Sequence, residues 1–209
     1  MDLYFLPLAC SMASRIALYE AELDARYIAV DREARRAGDE DFLAINPMAK
    51  VPVLRTDDGA LVTENVAVQA YIADLAPEAG LDGGDRHQML RWLSFTATEL
   101  HKAIFYPLLT EGTPEEVKAY CHGLVERPFA TLTAHLTGRE TLLERFSVAD
   151  AYLVTVINWT MATPPIELAK WPAVKAYYER LRTRPSIAKA IAEEFELYTA
   201  ELARHKAAA

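Results

Sequence analysis

The pattern of apolar residues changes character once along this chain, and that change limits the folds open to it. Before residue 77, short strand-like apolar runs alternate with helical stripes; after Asp85 the chain reads as helices separated by turns. The change falls at PEAGLDGGD, residues 77–85, where one Pro and three Gly give the chain the chemistry of a connection. Two domains follow: residues 1–80, mixed strand and helix, and residues 86–209, all helical. With 209 residues, 52% of them hydrophobic and 25% charged, the chain has the apolar material to give each part a core.

Within the first part, residues 3–6 (LYFL) form a run short enough for a buried strand. Met12, Ile16, Tyr19 and Leu23 then recur at helical spacing on one face. Residues 27–30 (YIAV) read as a second strand, a polar charged stretch follows, and NPMAKVPVL opens a third. Asp57-Asp58-Gly59, between VPVLRT and ALVT, is a hairpin turn. Val68, Tyr71, Ile72 and Leu75 make another helical stripe. The resulting order, βαβαββα, matches a thioredoxin-like sheet. Pro52 cannot donate to a strand ladder, which puts Val51-Pro52 at a strand start or a bend.

The second part carries helix starts. Thr113-Pro114-Glu115-Glu116 combines a capping Thr, Pro at the first helical position and Glu three residues after the cap. Ser147-Val148-Ala149-Asp150 repeats the pattern with Asp as the reciprocal acceptor, ahead of AYLVTVINW. Trp171-Pro172 opens a helix striped by Val174, Tyr177, Tyr178 and Leu181, and Arg184-Pro185 punctuates before the last one. The terminal KAAA reads as a frayed end.

Composition excludes several roles. Twenty-two basic against 30 acidic residues leave a net charge of -8 with no basic cluster, which argues against nucleic-acid binding. No apolar stretch approaches the roughly 20 residues of a membrane helix. The N-terminus has no basic residue before Arg15, and Pro7 interrupts its apolar run, against an export signal. Two cysteines, Cys10 and Cys121, are too few for a disulfide framework and suit a cytoplasmic location. None of the five histidines has zinc-ligand spacing with them, so no metal is expected.

The segments ACSMASRIAL, NPMAKVPVL, DDGALVTENVAVQAYIAD, ATELHK, FSVADAYL and RPSIAKAI, in that order, make the chain resemble the cytosolic glutathione S-transferases, most closely the bacterial beta class. The resemblance spans essentially the whole length. It implies a thioredoxin-like domain followed by an all-α domain, usually in a homodimer, with glutathione as co-substrate and no other cofactor. It also implies a cis Val51-Pro52 bond whose Val51 backbone pairs with the cysteinyl part of glutathione, an extended peptide suited to a strand edge. Glu64 and Asn65 would take the γ-glutamyl end at a helix start, and Arg35 and Lys50 would meet the glycine carboxylate. Cys10 and Ser11 would lie beside the incoming sulfur, with His101 facing Cys10 from the second domain. Ser94 and Thr98, seven and three residues before His101, would share its face, and Ser94 would reach glutathione across the dimer interface. The chain departs from the family pattern at Ser94, where Asn is common, at Ala49, where Gly is usual, and at Asn65, where many relatives have Ser.

A helix dipole contributes about 0.3–1 kcal/mol near its end, whereas shifting a thiol by one pH unit takes about 1.36 kcal/mol. Hydrogen bonds to the charged sulfur, about 1.5–3 kcal/mol each, would have to supply the rest, with Ser11, the adjacent backbone amides and His101 as donors. Taken alone, Cys10 reads as a buried thiol, His101 as a satisfied core histidine, Arg35 and Lys50 as solvated charges, and Glu64 and Asn65 as a helix cap. Cys121 reads as core. Phe105, Tyr106, Tyr152 and Trp159 could line a pocket for a second substrate, but aromatic residues at helical spacing more often belong to a core. Two activities compete: a transferase acting on a small electrophile, with thiol–disulfide exchange through Cys10 as a variant, and a non-catalytic interaction module on the same fold.

Overall fold

The computed structural model describes residues 1–163 and 166–208. In chain order its elements are β1 (Asp2–Phe5), α1 (Met12–Glu20), β2 (Arg26–Asp31), β3 (Arg36–Ala37), β4 (Glu40–Asp41), α2 (Phe42–Ile45), β5 (Val53–Arg55), β6 (Leu61–Thr63) and α3 (Asn65–Leu75). There follow α4 (Arg86–Phe95), a π-helical stretch (Thr96–Phe105), α5 (Tyr106–Leu109), α6 (Glu115–Leu124), α7 (Glu126–Leu136), α8 (Val148–Asn158), α9 (Pro172–Leu181) and α10 (Pro185–Ala208). The chain forms two compact units, one of Met1–Ala79 together with the chain from Arg184 onward, the other of Gly80–Thr183.

In the first unit the sheet order is β4-β3-β2-β1-β5-β6. β1 pairs parallel with β2 and antiparallel with β5, which pairs antiparallel with β6. The thioredoxin-like arrangement is as expected, with an addition: the polar stretch after β2 folds into the small hairpin β3–β4 before the single turn of α2. The Asp57-Asp58-Gly59 turn forms, with Thr56 N–H donating to Ala60 C=O and Gly59 at φ 86°. Helix α1 is buried from Met12 to Leu18, so its apolar stripe understates its burial.

Helix α10 belongs to this unit, unlike the expected all-helical domain running to residue 209. Polar locks explain its allegiance. Arg15 on α1 donates through Nε to Glu194 at 2.9 Å, and Glu194 also accepts Leu8 N–H at 2.7 Å. Arg184 grips Glu20 with two bonds of 2.6 Å.

The second unit is built around α8, buried from Val148 to Ile157. The capping pattern at its start forms as read: Asp150 Oδ2 accepts Ser147 N–H at 2.9 Å and the Ser147 hydroxyl at 2.8 Å. Its other oxygen accepts Leu142 N–H and Tyr177 O–H, both at 2.8 Å. Burial pushes the Asp150 carboxyl above its ordinary value against the pull of these bonds, and pushes the Tyr177 phenol up as well. The other expected cap does not form. Helix α6 starts at Glu115, one residue later than read, and Pro114 takes the cap position with no side-chain bond from Thr113. The Gly-rich connection is pinned rather than loose: Arg145 Nε donates to Gly80 C=O at 2.9 Å and Val148 N–H to Leu81 C=O at 3.0 Å. Gly83, at φ 72°, lies so close to Leu143 that a Cβ would come within 2.4 Å of its side chain.

Candidate functional site

Cys10 ends a tight loop between β1 and α1. The loop is closed by Ser11, whose hydroxyl accepts Leu6 N–H and donates to Leu6 C=O, each at 3.2 Å. Ser11 is fully buried, so its hydroxyl serves the loop and not an incoming sulfur; this corrects the expectation of a catalytic Ser11. Cys10 is half-buried, and its thiol donates to Val51 C=O at 3.2 Å. The Val51-Pro52 bond is cis and leads directly into β5. Loop and strand start thus bring Cys10 and Val51 together, two of the residues singled out in the sequence.

Glu64 and Asn65 stand at the start of α3, where, as at any helix start, the first-turn amides have no carbonyl within the helix to meet. Glu64 is exposed and sits at φ 67°, a conformation that costs a non-glycine residue about 1–3 kcal/mol. Asn65 is turned inward, against the expectation that its side chain meets a ligand carboxylate. It is 7% exposed, and its Nδ2 donates to Cys10 C=O at 3.2 Å. Arg35, at φ 54° in the β2–β3 turn, and Lys50 are both exposed.

In the second unit, His101 is 8% exposed, and its Nδ1 lies 2.7 Å from the hydroxyl of Tyr152. The rings of Trp159 and Tyr152 stand edge-on to the imidazole at 4.9 and 6.0 Å. Phe105, Tyr152 and Trp159 are buried core, whereas Tyr106 is exposed. Ser94 and Thr98 are exposed and do not share the buried face of His101, and the Thr98 hydroxyl is spent on Ser94 C=O at 3.1 Å. The π-helical stretch from Thr96 to Phe105 is the reason. Its wider turn means that three positions no longer nearly close a turn, which rotates His101 away from the Ser94–Thr98 line. Pro107, with no N–H to return to the preceding turn, lies two residues past the end of this stretch. Tyr152, set aside in the sequence as core, is a hydrogen-bonding partner of His101. Tyr152→Phe removes the hydroxyl that meets His101 Nδ1 and is expected to cost about 1–2 kcal/mol, read from the thermal midpoint.

Among the described residues no group of three His, Cys, Asp or Glu is placed to hold a metal, and no helix is long and apolar enough to cross a membrane.

A mixed sheet with a cis-proline strand start beside a thiol-bearing helix start, followed by a helical unit, defines a thioredoxin-like module joined to a helical one. Two family models match: "Glutathione S-transferase, N-terminal domain" over residues 1–74 and "Glutathione S-transferase, C-terminal domain" over residues 95–185. Glutathione S-transferase GstA of Escherichia coli O157:H7 is 36% identical, over 93% of this chain and 98% of its own length. A sphingomonad glutathione S-transferase solved in complex with glutathione is 40% identical at a TM-score of 0.86, covering 93% of this chain and 98% of that one. A bacterial beta-class glutathione S-transferase of Sphingomonas chungbukensis is 38% identical at the same TM-score of 0.86 and covers the same 93% and 98%. The chain belongs to the glutathione S-transferase family and resembles its bacterial beta-class members.

Proposed function

We propose that the protein binds glutathione along the backbone at Val51 and activates its thiol for attack on a small electrophile. The observation that carries this reading is the 3.2 Å contact from the Cys10 thiol to Val51 C=O, which sets a sulfur against the backbone that would pair with glutathione's cysteine. The first-turn amides of α3 and the exposed Glu64 would take the carboxylate and ammonium of the γ-glutamyl end, and the exposed Arg35 and Lys50 the glycine carboxylate. The enzyme works as a cytoplasmic homodimer.

Catalysis here consists of holding glutathione as a thiolate at a fixed place, since the thiolate is the nucleophile. In conjugation the sulfur forms a bond to the electrophilic carbon and the leaving group departs with its electron pair. In thiol exchange, Cys10 would attack a mixed disulfide containing glutathione, forming a Cys10–glutathione disulfide and releasing the other thiol; a second glutathione then attacks the glutathione sulfur of that disulfide, freeing the Cys10 thiol and leaving as glutathione disulfide. Cys10→Ala separates the two. Conjugation of a chlorodinitrobenzene is expected to survive within about tenfold, a change of about 1.4 kcal/mol, while reduction of a mixed disulfide is abolished. Undiminished disulfide reduction would remove Cys10 from that chemistry. Calorimetric titration tests the binding itself: no heat and no thermal stabilisation at millimolar glutathione would make the chain an interaction module instead.

A further inference from the structure

We infer that Asn65 is a positioning residue for Cys10: its side-chain amide, delivered from the start of α3, fixes the Cys10–Ser11 peptide and so the direction in which the thiol and the Ser11 N–H are presented. The inference rests on the role proposed above for Cys10.

Three contacts determine how the Asn65 amide lies. On one side Nδ2 meets Cys10 C=O at 3.2 Å. On the other, Oδ1 meets the Ser14 hydroxyl at 3.2 Å and Gln69 Nε2 at 3.4 Å. A backbone carbonyl can only accept, so the atom facing Cys10 must be the nitrogen, which turns the oxygen toward the Ser14 hydroxyl and Gln69 Nε2. Turning the amide over would set oxygen against oxygen at Cys10. Gln69 is fully buried and is oriented by the same cluster: its Nε2 points at Ser14 and Asn65, while its Oε1 is buried without a partner among the described residues. An orphaned buried acceptor is a standing cost, and here it accompanies a donor aimed at Asn65.

Cys10 C=O also accepts Ala13 N–H at 3.2 Å, so two donors from different elements hold one oxygen. In a planar trans peptide the Ser11 N–H points opposite the Cys10 C=O. Holding the oxygen therefore aims that N–H, one of the backbone donors available to a thiolate. With 7% exposure and both ends engaged, the Asn65 side chain serves the Cys10 loop, which leaves the main-chain amides of α3 to meet a ligand.

Asn65→Asp keeps the shape but presents only oxygens to Cys10 C=O; Asn65→Ala removes the amide. The readouts are the pH dependence of Cys10 alkylation by iodoacetamide, located by peptide mass, and the glutathione dissociation constant by calorimetry. Both variants are expected to move the alkylation midpoint to higher pH and to slow alkylation at pH 7 by about three- to tenfold, the scale of one misaligned hydrogen bond. Glutathione affinity of Asn65→Ala, which adds no charge at the start of α3, should change by less than about threefold. Should either variant fail to fold, Ser14→Ala removes one of the donors that orient Asn65 and is expected to give a smaller shift in the same direction. An unchanged alkylation profile with affinity weakened tenfold or more (about 1.4 kcal/mol) would make Asn65 a ligand contact and overturn the inference. Loss of both readouts only in proportion to lost thermal stability would also overturn it. If the unmodified protein takes up no glutathione, the proposed function fails, while the alkylation profile still decides the role of Asn65.

Discussion

Asp150→Ala is expected to destabilise the protein by about 3–5 kcal/mol. Removing the carboxylate deletes the α8 cap, about 1 kcal/mol, and strands Leu142 N–H and Tyr177 O–H in a region from which water is excluded. A buried donor left unpaired costs about 1–3 kcal/mol. Relief from burying an ionised group offsets part of this, because burial already raises the Asp150 carboxyl against four favourable bonds. Set against a typical total of about 5–15 kcal/mol, the remaining loss should lower the thermal midpoint by about 10 °C, measured by circular dichroism. Asn in place of Asp keeps the shape and one acceptor, and is expected to lose less. A drop below about 1 kcal/mol would mean that the four bonds contribute little beyond what water supplies to the unfolded chain.

Asp150 was legible in the sequence because a capping box is local: four consecutive residues carry the whole signal. The Asp57-Asp58-Gly59 hairpin and the Trp171-Pro172 helix start were legible for the same reason. Thr113-Pro114 misled because the same four-residue pattern fits two registers, and Pro114 took the cap position itself. The π-helical stretch defeated the reading of Ser94, Thr98 and His101, since grouping them assumes an α-helical period; Pro107 was the available warning. The inward turn of Asn65 and the attachment of α10 depend on partners 51 to 186 residues away. Neighbouring residues alone carry no trace of such contacts. Cys10 with Val51 could be paired from the sequence only through family resemblance, because the loop that joins them is closed by Ser11 and held by Glu194, neither of which marks itself.

Arg15→Met should destabilise the protein by about 3–5 kcal/mol at pH 8 and by clearly less near pH 5. The Arg15 and Glu194 side chains meet with 4% and 0% of their residues exposed. Arg15 also donates to Glu193 at 3.1 Å and to the Tyr19 hydroxyl at 3.3 Å, and its guanidinium lies over the Phe5 and Tyr27 rings at 4.5 and 4.0 Å. Methionine replaces much of that packing but leaves Glu194 a buried carboxylate without its cation, and a proton from solution can relieve that charge only at lower pH. Even with Arg15 present, burial pushes Glu194 from its ordinary 4.5 up to about 7, outweighing the Arg15 charge and the Leu8 N–H bond. The sign of the effect follows. Between pH 4.5 and about 7 the folded chain holds a proton that the unfolded chain has released, so stability falls as pH rises through that window. A span of about 2.5 pH units at about 1.4 kcal/mol each makes the effect about 3 kcal/mol. Glu194→Gln cannot titrate and still offers Leu8 an acceptor. Plotted against pH, the unfolding free energy of the unmodified protein minus that of Glu194→Gln should decline from pH 4.5 to about 7 and lie flat on either side. A difference that rises across the window would show Arg15 to outweigh burial, making the pair a net stabiliser of the ionised form and the clasp on the Cys10 loop stronger at neutral pH than burial alone allows.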